Sequence, residues 1–174
     1  MIQSQTVSGV VNVDFVSGIS GYSYYILEAL QYYFTANDNF SLFVFFSSNA
    51  GASWSAFSYA QFMQSNETDH PTFRALGVAS SVQGPYINGI QGTTGHNIIV
   101  PAYGIMKIFG LGSSSIVKQT TFVGSDLSND AINYEQLLGV SSTNLTTVVN
   151  GIRIAVDSGP TIPFSGTFRL FGVV

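Results

Sequence analysis

Apolar and polar residues alternate with a period of two along most of the chain. In the opening segment one side of the alternation consists of Val7, Gly9, Val11, Val13 and Phe15. A strand with one face in the core and the other in water shows this pattern. The alternation predicts one strand over 7–15 and further strands over 22–34, 40–46, 73–80, 97–101, 105–109, 116–123, 147–156 and 166–174.

Three segments leave the type of element open. Residues 22–34 also fit helical spacing, but their dense aromatic residues favour a strand. Residues 55–65 fit a short helix through Phe57, Ala60, Phe62 and Met63, and residues 127–138 are ambiguous. Gly84 to Gly92 is predicted to be a long loop.

These elements predict the fold class. Many short strands at roughly ten-residue spacing, with turn residues between them, are typical of an all-β antiparallel β-sandwich or jelly roll. We expect about eight to ten strands and at most one or two short helices. No repeat or linker interrupts the pattern, so residues 1–174 are predicted to form a single domain whose first and last strands both lie in the sheets.

Composition and charge narrow the function. Only 8% of the residues are charged, and five Lys+Arg exclude a surface that neutralises many phosphates, so no nucleic-acid partner is expected. The absence of Cys excludes disulfides and cysteine metal sites. The N-terminus lacks a signal-peptide pattern and the apolar run 40–46 is too short for a membrane helix, so we expect synthesis in a reducing cytoplasm and no membrane partner.

No constellation of catalytic or metal-binding residues stands out. His70 and His96 have no identifiable partner and are predicted to be structural. Asp126 and Asp130 either form a turn or helix cap or contribute oxygens to a Ca²⁺ site, and the first is favoured because the EF-hand pattern is absent. The sequence therefore predicts a protein that is not an enzyme and has no catalytic residue, cofactor or metal.

The aromatic residues supply candidates for binding. Nine Tyr, fourteen Phe and one Trp are more than a small core usually needs. Tyr24, in the cluster 22–33, is a candidate interface residue, because protein interfaces are enriched in Tyr. Tyr86 and Trp54 are candidate ligand-facing residues, since exposed aromatic faces stack on sugars, although Trp54 also fits a packing role at the base of the polar hairpin tip 47–53.

The strand 40–46 has apolar residues on both faces. Phe40, Leu42, Val44 and Phe46 belong on the core side, which sends Phe43 and Phe45 to the opposite face. Residues 81–97 of the same chain or a neighbouring subunit would have to cover them, and the low charge favours the subunit. Phe43 and Phe45 are therefore candidate interface residues of a homo-oligomer.

Three segments together resemble a known group of proteins. They are Gln5-Thr6-Val7-Ser8 with Val11-Asn12-Val13-Asp14-Phe15, the run from Leu42 to Trp54, and the ending Phe164 to Val173. In order and spacing they are similar to tailed-bacteriophage and prophage virion proteins, which carry a Gly-Gly-x-Ser-Trp tip and a closing Ser-Gly-Thr-x-Arg-Leu-Tyr-Gly strand. Here Ala50 stands for the first Gly and Phe171 for the Tyr.

The resemblance implies a β-sandwich module of a tail fibre, head fibre or capsid decoration, located in the virion and without enzymatic activity. The chain has no room for a fibre shaft, which favours a decoration, collar or baseplate-peripheral subunit. Such appendages commonly form rings or trimers, so a trimer is the expected oligomer, with neighbouring capsid or tail proteins as further partners. The alternative is a receptor-binding tail-fibre domain that recognises a host-surface glycan.

Overall fold

The structure, a computed structural model, is built of strands. It describes residues 1–34, 42–55, 58–66, 72–80, 102–127, 134–143, 145–156 and 162–174, and for 58–66, 72–80, 126–127 and 134–137 it describes the backbone alone. The strands are β1 (Gln3–Val10), β2 (Asn12–Phe15), β3 (Tyr24–Phe34), β4 (Leu42–Ser47), β5 (Ser58–Asn66), β6 (Thr72–Ser80), β7 (Ala102–Phe109), β8 (Gln119–Leu127), β9 (Tyr134–Ser142), β10 (Gly151–Val156) and β11 (Phe164–Val173).

Two antiparallel sheets form the fold. The large sheet has the order β1-β11-β3-β7-β8-β9-β5-β6, and the small sheet has the order β2-β10-β4. The described residues contain no helix, and therefore no helix that could span a membrane. The predicted all-β antiparallel sandwich is confirmed: nine strands have described side chains, and β5 and β6 add two strands described by backbone. The first and last strands both lie in the large sheet, as expected, and they pair with each other.

The opening segment is not the single strand that the alternation predicted over 7–15. The register of β1 shifts between Val7 and Val10, Gly9 has a φ of 64°, and the chain bends and enters the small sheet as β2. A left-handed φ is accessible to glycine at little cost, so Gly9 permits the bend. The bend shifts the core-facing positions by one residue: Val7 and Val10 pack against the core, Val11 is exposed, and Val13 and Phe15 are buried.

One hydrophobic core lies between the sheets. The small sheet contributes Val13, Phe15, Leu42, Val44, Phe46, Ile152 and Ile154, and the large sheet contributes Tyr25, Leu27, Met106, Ile108, Phe122, Phe168 and Leu170. In β3 and β7 the core residues Tyr25, Leu27, Met106 and Ile108 alternate with exposed or half-buried neighbours. Where β8 meets β9 some of the buried side chains are polar, and Thr120 on β8 is hydrogen-bonded to Ser141 on β9.

Several element boundaries differ from the prediction. The short helix allowed for 55–65 is wrong, because β5 pairs there with both β6 and β9 over its whole length. The ambiguous residues 127–138 include the start of β9 at Tyr134. The strands predicted over 116–123 and 147–156 begin later, at Gln119 and Gly151, and the preceding residues 111–118 form a loop. Residues 97–101 and the loop 84–92 lie outside the described residues.

Candidate interaction surfaces

The large sheet has a face that points away from the core. We call it the outer face; its described residues include Thr167, Arg169, Phe171 and Val173 on β11, Tyr24, Ile26, Glu28 and Leu30 on β3, Tyr103, Ile105, Lys107 and Phe109 on β7, Gln119, Thr121, Val123 and Ser125 on β8, and Leu138 and Val140 on β9. More than half of them are apolar. A sheet face in contact with water is ordinarily polar, so this composition points to a covered surface.

Three neighbouring apolar side chains on the outer face are open to solvent. Val123 is 44% exposed, Leu138 59% and Val140 51%. Val123 and Leu138 are direct cross-strand partners, and Val140 follows on the same side of β9. We call Val123, Leu138 and Val140 the exposed patch. Covering each of these half-exposed side chains would contribute about 1 kcal/mol.

Tyr24 lies elsewhere on the outer face, and the structure places it in an aromatic pair. Its ring stacks on Phe109 with 5.5 Å between the ring centroids and 30° between the planes, and Val173 is its neighbour on β11. Tyr24 is half-buried by these contacts. It therefore lies on the same outer face as the exposed patch, and its interface role stays a prediction.

The described charges on the outer face are few. Arg169 lies 3.9 Å from Glu28, with the arginine side chain 43% exposed, which makes a weak surface ion pair. Lys107 is exposed on β7. A partner that covers this face would have to desolvate little charge.

Phe43 and Phe45 do lie on the opposite side of β4 from the core row, as the alternation predicted. Phe45 is half-buried, opposite Arg153 in the register with β10. Phe43 is only 3% exposed in the single chain. A side chain that is already buried has almost no surface to give to a second subunit, so the candidate interface on this strand narrows to Phe45. The proposed cover, residues 81–97, lies outside the described residues.

The hairpin tip 47–55 is held by side-chain hydrogen bonds. The Ser47 hydroxyl accepts the backbone N–H groups of Asn49 (3.2 Å) and Gly51 (2.8 Å) and donates to the Asn49 side-chain oxygen. That oxygen also accepts the N–H of Ser53, and Asn150 accepts the N–H of Ala50. Ala50 and Gly51 both have positive φ angles, so the tip contains a tight turn. This network fixes the position of Trp54 at its base.

Trp54 contacts an ion pair that joins distant parts of the chain. The guanidinium of Arg153 on β10 lies 4.4 Å from the centroid of the Trp54 ring. The same guanidinium donates Nε–H and Nη2–H to the two carboxylate oxygens of Asp14 on β2, at 2.7 Å each. Hydrogen bonding to Asp14 raises the pKa of Arg153. The opening segment, the hairpin tip and β10 thus meet at the guanidinium of Arg153, on the side of the small sheet that faces away from the core.

This arrangement bears on the prediction that Trp54 faces a ligand. One face of the indole is already occupied by Arg153, and its six-membered ring lies against Gly51 and Gly151, where an added Cβ would be 3.2 Å from the ring. A sugar would have to displace the guanidinium in order to stack there. The geometry favours the packing role for Trp54; Tyr86 lies outside the described residues.

A buried lysine organises the loop before β8. Lys118 is fully buried, and its Nζ donates to the backbone carbonyls of Ser113 (2.6 Å) and Ile116 (3.0 Å). Burial lowers the pKa of Lys118. The ammonium group therefore acts as an internal cross-link of residues 113–118, and its position under the loop gives it no access to a substrate.

The remaining candidates of the sequence lie mostly outside the described side chains. Asp126 is described by its backbone in β8 alone, and Asp130, His70 and His96 are outside the described residues. Among the side chains that are described, no group of three His, Cys, Asp or Glu could hold a metal ion.

Sequence reasoning missed two structural contacts, those of Arg153 and Lys118. Both are among the five basic residues, and Arg153 lies between Ile152 and Ile154 in an apolar strand, which is a signal that a basic side chain has an internal partner. Their partners, Asp14 and two loop carbonyls, could not be assigned from spacing, because the Arg153 contact spans 139 positions.

Comparisons with known proteins returned no matching family model, no matching curated protein and no matching solved structure. The likeness to phage virion proteins therefore rests on the three quoted segments.

Proposed function

We propose that the protein is a structural subunit of a bacteriophage virion, a decoration, collar or baseplate-peripheral component that works by binding its own copies and neighbouring capsid or tail proteins. The observation that carries the proposal is the exposed patch within the largely apolar outer face. A protein with only 8% charged residues and such a face is expected to associate, because monomeric proteins rarely expose contiguous apolar surface.

Two features support the virion role beside the outer face. Each of the three segments that resemble virion proteins forms part of the folded framework. The opening and the ending pair as β1 and β11, and the hairpin tip holds Trp54 against Arg153. Arg153 and Lys118 both bond internal partners, which suits a role in the framework of the fold.

Self-association is tested by light scattering on the purified protein across a range of concentrations. We expect a mass that is a multiple of 18.6 kDa, with a trimer as the first expectation from the resemblance. The double variant Leu138→Gln, Val140→Thr should shift the mass to a smaller species while the circular-dichroism spectrum stays that of a β protein, because both residues are exposed. Ser48→Gln, exposed in the hairpin tip beside the small sheet and away from the outer face, is the control and should keep the wild-type mass.

A wild-type monomer at tens of micromolar, or a double variant with unchanged mass, would contradict the interface on the outer face. The virion role has its own test: immunogold electron microscopy of purified particles with an antibody to this chain. Labelling at a fixed place on the particle is expected, and a protein found in infected cells yet missing from particles would overturn the assignment.

A further inference from the structure

The two edges of the large sheet differ in how they are protected. β1 forms one edge, and it carries a register shift between Val7 and Val10 and a glycine at positive φ. Bulges of this kind twist an edge strand away from further pairing. Its residues Ser4, Thr6 and Ser8 are exposed and polar. This edge has the devices by which β proteins avoid joining edge to edge.

Among the described strands β6 forms the other edge, and it has no register shift like that of β1. It is nine residues long, Thr72 to Ser80, and its register with β5 runs without a shift from end to end. It contains no proline and no lysine, and Arg74 is its one charged residue. Within the described strands none lies on its far side. A long, regular, charge-poor edge is a template for adding a strand.

The sequence of β6 fits a second copy of itself. An antiparallel pair about a two-fold axis that uses all nine residues places Leu76 of one copy opposite Leu76 of the other and Arg74 opposite Val78. The two Arg74 residues are then four positions apart along the strand direction, about 13 Å, which is beyond the Debye length of about 8 Å at physiological salt. A parallel arrangement would instead put the two arginines side by side.

We propose that β6 is a self-association edge, at which a second copy of this chain adds its own β6 in antiparallel register centred on Leu76, so that one sheet runs through both copies. The proposal is independent of the virion role and of the outer face. Together with a three-fold contact elsewhere, this two-fold contact would generate a closed hexamer if the two axes intersect at right angles.

Cysteine cross-linking tests the register, since the chain has no cysteine of its own. Leu76→Cys should form an intermolecular disulfide under mild oxidation, giving a band of twice 18.6 kDa on a non-reducing gel. Directly opposite residues in an antiparallel pair have Cα atoms about 4.5–5.5 Å apart, which is within the range that a disulfide spans. Thr72→Cys is the matched control and should not link to itself, because its counterpart is at the other end of the pair.

A second measurement covers the case in which Leu76→Cys does not fold. Ala75→Cys and Gly77→Cys are opposite each other in the proposed register, so a mixture of the two proteins should cross-link far more than either alone. The proposal is overturned if no cysteine in β6 links two copies, which is the result expected when β6 pairs within its own chain. It is also overturned if Thr72→Cys forms the disulfide as readily as Leu76→Cys. Leu76→Cys is also combined with Leu138→Gln, Val140→Thr. If the disulfide still forms in this triple variant, the contact at β6 does not depend on the interface at the outer face.

Discussion

Replacing Arg153 by methionine should destabilise the protein more than any other loss of a single described surface charge. The substitution keeps most of the aliphatic stem and removes the guanidinium that bonds both oxygens of Asp14 and lies over Trp54. The Arg153 and Asp14 side chains are each 30% exposed, so solvent screens part of the interaction. The ion pair is therefore well placed geometrically and only partly desolvated.

The magnitude follows from the three contacts. A hydrogen bond to a charged group contributes about 1.5–3 kcal/mol when buried, and partial exposure lowers this to about 1 kcal/mol for each of the two bonds. The cation–π contact adds about 0.5–1 kcal/mol. We expect Arg153→Met to lower the free energy of unfolding by about 2–3 kcal/mol.

Urea unfolding followed by circular dichroism measures this change, and the fluorescence of Trp54, the single tryptophan, reports on the site itself. A double-mutant cycle with Asp14→Asn should give a coupling energy of about 1.5–2 kcal/mol. Arg169→Met is the control: its ion pair is 3.9 Å long and more exposed, and it should cost about 0.5 kcal/mol or less. Equal losses for the two arginines, or a coupling energy within about 0.5 kcal/mol of zero, would refute the reasoning.

Three further predictions concern packing, protonation and the sheet edge. Gly151→Ala should lower the free energy of unfolding by about 1–2 kcal/mol, because the added Cβ would lie 3.2 Å from the Trp54 ring. It should also alter the near-ultraviolet circular-dichroism signal of Trp54. Gly112→Ala is the control: it has open space around it and should leave the free energy of unfolding nearly unchanged. Burial lowers the pKa of Lys118, so between that lowered value and the ordinary lysine pKa of about 10.4 the unfolded chain binds more protons. The free energy of unfolding of the wild type relative to Lys118→Met should therefore rise as the pH increases through this window, and a constant difference in urea titrations would count against it. Deletion of β11 should give insoluble protein, because it lies between β1 and β3 and its loss exposes two strand edges; soluble, folded protein in a sedimentation assay would show otherwise.

The sequence by itself determined where most strands lie and which of their sides is buried. In β7 every second residue enters the core, and in β4 the row Leu42, Val44, Phe46 does so, as the alternation indicates. In β3 the alternation holds from Tyr25 to Ala29, and an irregularity at Gln31 then moves the buried positions to Tyr32 and Phe34. This information is local, because successive side chains of a strand point to opposite faces whatever the strand pairs with. The position of Trp54 at the base of a hairpin tip could also be predicted from the local sequence.

The tertiary structure alone decided which strands are neighbours and which polar groups meet. Nothing local says that the alternating segment 7–15 divides between two sheets, that 58–66 is a strand between two others, or that Phe43 is already buried. The pairing of Arg153 with Asp14 joins positions 139 apart, and the burial of Lys118 depends on a loop closing over it. A period-two pattern specifies which face of a strand is buried, but it does not specify the partner strand. The contacts between strands therefore follow from the topology that buries all the apolar faces together.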